Sequence, residues 1–237
     1  MVITAETPVR DIVVEVPSAI PVFEQFGIDY CCGGKHTLAE ACIKRDQSLA
    51  PVLEEIKRRE SDTAPVETQW QAAPLCELIH YIVEKHHTFT REQVTLIQQL
   101  AAKVERRHGP AHPEVYKINE ALATIDAELK HHFFCEENVL FPYIEMLDRK
   151  ETAVAQAIFD TVQKPVTRMM MDHNQTGDEF RVLRELTNGY EPPEDACTTY
   201  RALYRAMEDL ERDLHRHIHL ENNILFPRAI SLESERP

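Results

Sequence analysis

Residues 132–142 read HFFCEENVLFP, and residues 217–227 read HIHLENNILFP. Six of the eleven positions are identical, and the two segments stand 85 residues apart. The similarity extends upstream, because four of the five residues 125–129 match residues 210–214 in type. The chain therefore contains a duplicated segment, which organises the rest of the sequence around it.

Each copy contains the pattern H-x-x-x-E, as His132 with Glu136 and as His217 with Glu221. On an α-helix this spacing places the imidazole and the carboxylate on one face, about 40° and about 6 Å apart along the axis. A single such pair is weak evidence, since surface helices are rich in both residues. Its recurrence in register on core-facing turns predicts metal ligands, because buried ionisable groups are costly unless paired or bound to metal.

Four long stretches with helical spacing of apolar residues surround the repeat. They cover residues 74–108, 113–146, 165–186 and 194–230, and a shorter piece covers 151–162. Leu96, Ile97 and Leu100 belong to the apolar positions of the first stretch. With no alternating strand pattern, the sequence predicts an all-α fold, an antiparallel four-helix bundle. Pro142 and Pro227 predict a kink, or a frayed end one turn beyond each Glu.

A small helical domain is predicted over residues 1–60. Thr37 and Glu40 have the spacing of a capping box, which predicts a helix start, and a further helix is expected over residues 48–59. Residues 61–72 form a predicted linker to a bundle domain over 73–232.

Composition excludes several classes of protein. The 237 residues carry a net charge of -14, from 26 basic and 40 acidic residues, which disfavours nucleic-acid binding. No apolar run is long enough for a membrane span, and the N-terminus lacks a signal peptide, so a cytoplasmic protein without membrane contact is expected. The six cysteines form no C-x-x-C pair, and disulfides are not expected.

Two further histidines fit the same register. His173 stands 44 residues before His217, and His87 stands 45 before His132. In helix bundles, ligands that project inward from four helices form dinuclear carboxylate sites. For this chain we expect two imidazoles on each metal, with both glutamates bridging the two metals. Mixed nitrogen and oxygen ligation favours iron or manganese over structural zinc, with iron first.

The repeat also distinguishes neighbouring histidines, since adjacent helix positions point about 100° apart. It selects His132 over His131, because the position 85 residues after His131 is Arg216. It likewise selects His217 over His215 and His219. In the first helix the apolar stripe slightly favours His86 over His87, so the residues alone leave that choice open.

The chain resembles the Repair of Iron Centers family. The resemblance rests on GIDYCCGGK at residues 27–35, on MDH at residues 171–173 and on both copies of the repeat. It implies a hemerythrin-like bundle whose first ligand precedes an R-E-Q segment, which is His87 ahead of residues 91–93. It further implies two non-haem iron ions per chain, carboxylate- and oxo-bridged. The other implied ligands are His132, Glu136, His173, His217 and Glu221.

The same resemblance implies a function, the repair of iron-sulfur clusters damaged by nitric oxide or peroxide, with the protein donating iron. Its implied partners are damaged or apo iron-sulfur proteins, with NO or O2 as small ligands; a homodimer is left open. Cys31 and Cys32, flanked by Gly33 and Gly34, are candidates for a redox or iron-transfer role. Two alternatives remain, a nitric oxide reductase at the di-iron centre and a hemerythrin-like binder or sensor of O2 or NO.

Overall fold

A computed structural model describes residues 2–60, 68–149 and 161–235. The described residues form helices and contain no β-strand. The chain divides into two compact units. The first, which we call the terminal unit, comprises residues 1–78 and 215–237, and the second, which we call the bundle unit, comprises residues 79–214.

The helices follow one another in chain order, with short 3-10 and π-helical turns between some of them. The α-helices are α1 (Val9–Glu15), α2 (Ile20–Phe26), α3 (Leu38–Lys44), α4 (Leu49–Glu60), α5 (Leu75–Tyr81), α6 (Thr88–His108), α7 (Glu114–Cys135), α8 (Phe141–Asp148), α9 (Gln163–Leu186), α10 (Thr198–His219) and α11 (Phe226–Ser234). The 3-10 turns are Pro17–Ala19 and Thr68–Gln71, and the π-helical turns are Ile82–His87, Glu136–Leu140 and Leu220–Leu225. Within the described residues, no helix is both long enough and apolar enough to cross a lipid bilayer.

The long helices of the bundle unit run antiparallel. Gln98 of α6 donates to Asp126 of α7 at 2.8 Å, and Asn119 of α7 donates to Glu105, farther along α6. Contacts that ascend one helix while descending the other define an antiparallel pair. Contacts of the same sense join α7 to α9, as Glu128–Gln175 and His132–His173. They also join α6 and the π-helical turn before it to α10, as His108–Tyr200 and His86–Asp213. The predicted all-α bundle is confirmed.

Apolar side chains at helical spacing form the core of the bundle unit. Burial of these side chains removes apolar surface from water and is the main stabilising contribution to such a fold. Leu96 differs from expectation, because it is 42% exposed while Ile97 beside it is buried. The core includes Ile97, Val104, Ile118, Leu122, Ile125, Leu129, Phe180, Leu183, Leu203, Leu210 and Leu214.

The terminal unit has its own core, formed by helices α1 to α4 together with Ile218 from the C-terminal segment. The predicted capping box is present, since the Glu40 amide donates to the Thr37 hydroxyl and the Thr37 amide donates to the Glu40 carboxylate. Gly27 ends α2 at φ 65°, a left-handed conformation that glycine adopts without strain. The expected helix over residues 48–59 corresponds to α4.

The segment before α5 is held by the last helix. The Arg228 guanidinium donates to the carbonyls of Trp70 and Ala73, each at 2.6 Å. Part of the predicted linker is therefore fixed, whereas residues 61–67 lie outside the described residues, as does most of the predicted piece over 151–162. The domain boundaries 1–60, 61–72 and 73–232 stay a prediction.

His112 links the two loops at one end of the bundle unit. Its Nε2 lies 3.1 Å from the Asp195 carboxylate, and its Nδ1 lies 3.0 Å from Glu114. The hydrogen bond to Asp195, followed by the one to Glu114, raises the pKa of His112 above its ordinary value. Because the pKa of His112 is higher in the folded than in the unfolded state, protonation of His112 stabilises the fold. This contribution is complete below about pH 6.5, the unfolded value, and it is lost as the pH rises through the pKa of the folded state.

The substitution His112→Gln is therefore expected to destabilise the protein at about pH 5.5, by no more than about 1 kcal/mol because Asp195 is largely exposed. At about pH 9 the variant and the wild type should unfold at nearly the same temperature. Thermal unfolding followed by circular dichroism at both pH values measures this difference. An equal difference at both pH values would contradict a charge-based contribution of His112.

Candidate metal centre

Three turns of π-helix carry residues that the sequence predicts as metal ligands. His87 ends the first turn, Glu136 begins the second, and Glu221 lies in the third. A π-turn contains one more residue than an α-turn and changes the direction in which the following side chains point. Such turns are rare and concentrate at functional sites, so their coincidence with the predicted ligands supports a functional role.

The two repeat prolines follow two of these turns. Where a kink or a frayed end was expected, the helix instead continues through a widened turn. The Phe141 amide donates to the Glu136 carbonyl, and the Phe226 amide donates to the Glu221 carbonyl, each five residues back. Proline clashes with the carbonyl four residues before it, and the wider turn relieves this clash.

The bundle unit brings together four of the predicted ligands. Glu136 Oε1 lies 3.1 Å from His132 Nε2 and 4.0 Å from His173 Nε2, and the two imidazole nitrogens are 3.1 Å apart. Glu136 Oε2 lies 3.5 Å from His87 Nε2. Each carboxylate oxygen of Glu136 therefore faces different histidines.

Glu136 also shows how well this group of residues suits a metal. Its side chain is 0% exposed, and among the described residues neither carboxylate oxygen accepts a hydrogen bond. A buried carboxylate is costly unless it is paired, hydrogen-bonded or bound to a cation. The three imidazoles around it, on His87, His132 and His173, are also buried. Neutral imidazole and carboxylate are suitable ligands for iron, so the residues fit a metal ion.

His87 is held in a fixed orientation. Its ring stacks on Phe133, with centroids 4.1 Å apart, and its Nδ1 lies 2.6 Å from the Glu137 carboxylate. Arg91 donates to the same carboxylate at 2.6 Å. The hydrogen bond from His87 is the main reason that the pKa of Glu137 is lowered, and Arg91 adds to it. A carboxylate on Nδ1 leaves Nε2 unprotonated and directed at Glu136, as ligating histidines require.

His132 has a similar environment on the other side of Glu136. Asp172 lies 3.9 Å from His132 Nδ1 and 3.0 Å from the Arg168 guanidinium. His132, followed by Arg168, lowers the pKa of Asp172. Neither Glu137 nor Asp172 was predicted from the sequence. The available signal was that each is an acidic residue beside a predicted ligand.

The structure distinguishes His86 from His87. Both are buried, but His86 Nδ1 lies 3.0 Å from Asp213 of α10, while His87 faces Glu136. The apolar stripe could not separate them, because His86 faces an aspartate that lies 127 residues farther along the chain. Among the other histidines, His80 and His131 are exposed, and His36, His108, His112 and His215 are partly exposed.

This pair of neighbours provides a matched test. His87→Gln is expected to lower the affinity for iron by at least about tenfold, because it removes a predicted nitrogen ligand whose orientation is set by Glu137. His86→Gln should leave the iron content unchanged, since glutamine still reaches Asp213. Iron analysis after dialysis against a weak chelator compares the two variants. Equal iron loss from both would contradict the assignment of His87.

The terminal unit holds the remaining predicted ligands. His217 Nε2 and Glu221 Oε1 are 2.9 Å apart, and both side chains are buried. One turn separates them on consecutive α- and π-helical segments, as the H-x-x-x-E spacing predicts. His219 is buried too, and desolvation lowers its pKa to about 4, so it is neutral at neutral pH.

The cysteine pair lies in the same unit. The Sγ atoms of Cys31 and Cys32 are 3.8 Å apart and are not joined in a disulfide. The Asp29 carboxylate accepts from both cysteine amides, at 3.0 Å and 2.9 Å, and from the Cys31 thiol at 3.4 Å. The hydrogen bond with Cys32, together with burial, raises the pKa of the Cys31 thiol. The thiol is therefore protonated at neutral pH in the absence of a metal or a base.

Residues directly after Glu221 anchor this cysteine loop. The Asn222 amide donates to the Cys31 carbonyl at 3.2 Å, and the Asn223 amide donates to the Tyr30 carbonyl at 2.9 Å. In the first copy of the repeat, Glu137 occupies the position of Asn222 and contacts His87. The two copies have therefore diverged, and the position after the glutamate orients a histidine in one and holds the cysteine loop in the other.

Comparison with known proteins agrees with this geometry. A family profile described as "Hemerythrin HHE cation binding domain" matches residues 78–229. The chain belongs to this hemerythrin family. A second profile, "Domain of Unknown function (DUF542)", matches residues 5–60. Individual proteins are similar to the chain along nearly its full length. An "Iron-sulfur cluster repair protein YtfE" from Escherichia coli O81 (strain ED1a) is 35% identical over 96% of this chain and 98% of its own.

A protein of the same name from Escherichia fergusonii is 34% identical over the same shares of both chains. These relatives confirm the resemblance to the Repair of Iron Centers family. The hemerythrin assignment also confirms the predicted bundle with its small helical region ahead of it. Cation binding by a hemerythrin domain suits the buried His and Glu groups of this chain.

Proposed function

We propose that this hemerythrin-family chain is a di-iron protein that repairs iron-sulfur clusters damaged by nitrosative or oxidative stress, by donating iron in the cytoplasm. The observation that carries the proposal is the buried, hydrogen-bond-free carboxylate of Glu136 among three imidazoles. The relatives named for iron-sulfur cluster repair match almost the whole chain, including the segment that carries the cysteine pair.

Six residues would hold the two irons in this proposal: His87, His132, Glu136, His173, His217 and Glu221. The duplication supports the inclusion of the last two, because His217 and Glu221 repeat His132 and Glu136.

The ligand set suits an iron donor. Bound iron would supply an exchangeable divalent cation, since imidazole and carboxylate hold ferrous iron less tightly than thiolates do. The chain's own residues control that affinity. Glu137 and Arg91 fix the orientation of His87, and Phe133 covers one face of the His87 ring. Asp172, which the Arg168 guanidinium contacts, lies 3.9 Å from His132 Nδ1.

Cys31 and Cys32 are proposed to act in iron transfer or reduction, as the sequence predicts. Support comes from the anchoring of their loop by Asn222 and Asn223, which directly follow the proposed ligand Glu221. The clients would be damaged or apo iron-sulfur proteins.

Iron transfer to an apo cluster protein tests the proposed function. Iron-loaded protein is mixed anaerobically with an apo [4Fe–4S] protein, sulfide and a thiol reductant, and cluster absorbance and iron in the separated donor are recorded. Cluster formation matched by iron loss from the donor is expected. Iron that stays on the donor while N2O forms over many turnovers from NO would assign a nitric oxide reductase instead. Retained iron with reversible O2 binding would assign an oxygen binder.

A further inference from the structure

We propose that Asp29, Cys31 and Cys32 form a second metal site, separate from the His and Glu ligands, that takes a thiophilic divalent cation. One oxygen or sulfur atom from each of the three residues lies within 4.8 Å of the other two. All three residues belong to one loop of the terminal unit, between α2 and α3.

The distances match those of a tetrahedral site. Two thiolates bound to one ion at about 2.3 Å with a tetrahedral angle are about 3.8 Å apart. The observed separation of the Cys31 and Cys32 sulfurs is 3.8 Å. A carboxylate oxygen bound at about 2.0 to 2.2 Å would lie about 3.6 Å from either sulfur, and Asp29 Oδ1 lies 3.4 Å from the Cys31 sulfur. An ion could therefore bind with little rearrangement of the loop.

The loop is pre-organised around the carboxylate. Burial alone would raise the pKa of Asp29, but the amides of Gly33 and Cys32 and the Cys31 thiol lower it overall, so the group is anionic at neutral pH. A Cβ at position 33 would lie 3.0 Å from Asp29 Oδ2, and one at position 34 would lie 2.9 Å from the Tyr30 carbonyl. Gly33 therefore allows the close approach of the backbone to Asp29, and Gly34 allows its close approach to the Tyr30 carbonyl.

The protons balance without a redox step. Cys32 is partly exposed and gives the ion access, while Cys31 is buried beside it. Each thiol exchanges its proton for a bond to the cation, so one divalent ion releases two protons to solvent. The cation keeps its oxidation state, and neither an oxidant nor a reductant is consumed.

Cobalt titration tests the site. Co²⁺ is added to the iron-loaded protein under anaerobic reducing conditions, and the near-ultraviolet sulfur-to-cobalt charge-transfer band and the released protons are measured. We expect one cobalt ion to bind per chain. The intensity of the charge-transfer band should correspond to two bound thiolates, and two protons should be released. Cys31→Ser and Cys32→Ser should each remove at least half of the band intensity. Asp29→Asn should keep the band but weaken binding by about tenfold or more, because the amide still accepts from the backbone while its charge is lost.

Cys135→Ser and Cys197→Ser are the matched controls, because these cysteines lie beside His131 (3.7 Å) and His108 (3.2 Å) and represent alternative cobalt sites. Neither control should change the band. Absence of the band in the wild type, or its loss in a control rather than in Cys31→Ser, would overturn the proposal. Circular dichroism and iron content are recorded on each sample. If the thiolate site is absent, the iron content should still be about two ions per chain. Failure of this proposal can therefore be distinguished from failure of the di-iron proposal.

Discussion

Substitution of Glu136 by leucine is expected to lower the iron content of the purified protein from about two ions per chain to below about one. The reason lies in the two oxygens of this carboxylate, one facing His132 and the other facing His87. A single substitution therefore removes a ligand from both proposed iron positions. The fall should exceed that caused by loss of one histidine, and Glu221→Leu should behave similarly because the repeat places it in the same role.

The matched control is Glu128→Leu, on the same helix two turns earlier, where the carboxylate contacts Gln175 instead. Elemental analysis of all three variants, expressed and purified identically, gives the comparison. Iron content unchanged in Glu136→Leu, or zinc at full occupancy in the wild type, would contradict the proposed centre.

Removal of iron is expected to lower the unfolding temperature by at least about 5 °C. A ligand present at about 100 times its Kd stabilises the folded state by about 2.7 kcal/mol, and each kcal/mol shifts a chain of this size by roughly 2 to 4 °C. Without a cation, Glu136 is also left buried with no hydrogen-bond donor among the described residues. Calorimetry on iron-loaded, chelated and reconstituted protein measures the shift and its recovery.

The variant Glu136→Leu serves as the control, because it should hold less iron and its unfolding temperature should respond less to the chelator. Identical unfolding temperatures for iron-loaded and chelated wild type would show that iron does not contribute to folding, which is the opposite of the expected result. A shift of full size in the variant would place the stabilising ion elsewhere in the chain.

Local patterns explain how much the sequence could predict. The capping box of Thr37 and Glu40 depends on four neighbouring residues, and it is present as predicted. The bundle follows from helical spacing of apolar residues, which depends on the period rather than on distant partners. The fold class and the helix positions were therefore predictable, whereas the exposure of Leu96 was not, because a helical stripe has indistinct edges.

Long-range contacts explain what the sequence could not predict. Glu137 contacts His87 across 50 residues, and Asn222 contacts Cys31 across 191. The repeat did not predict the contact of Asn222 with Cys31, because the second copy has Asn222 where the first copy has Glu137. The π-turns were missed for a related reason. A proline is compatible with a kink, a frayed end or a widened turn, and only the surrounding fold selects among them.

A crystal structure of the iron-loaded protein, with anomalous differences recorded at the iron absorption edge, is the sharpest test of the di-iron proposal. Two iron peaks per chain are expected, with His87, His132, His173 and His217 as nitrogen ligands and both Glu136 and Glu221 shared between the ions. A lone peak, or two peaks whose ligands exclude Glu136, would contradict the proposal.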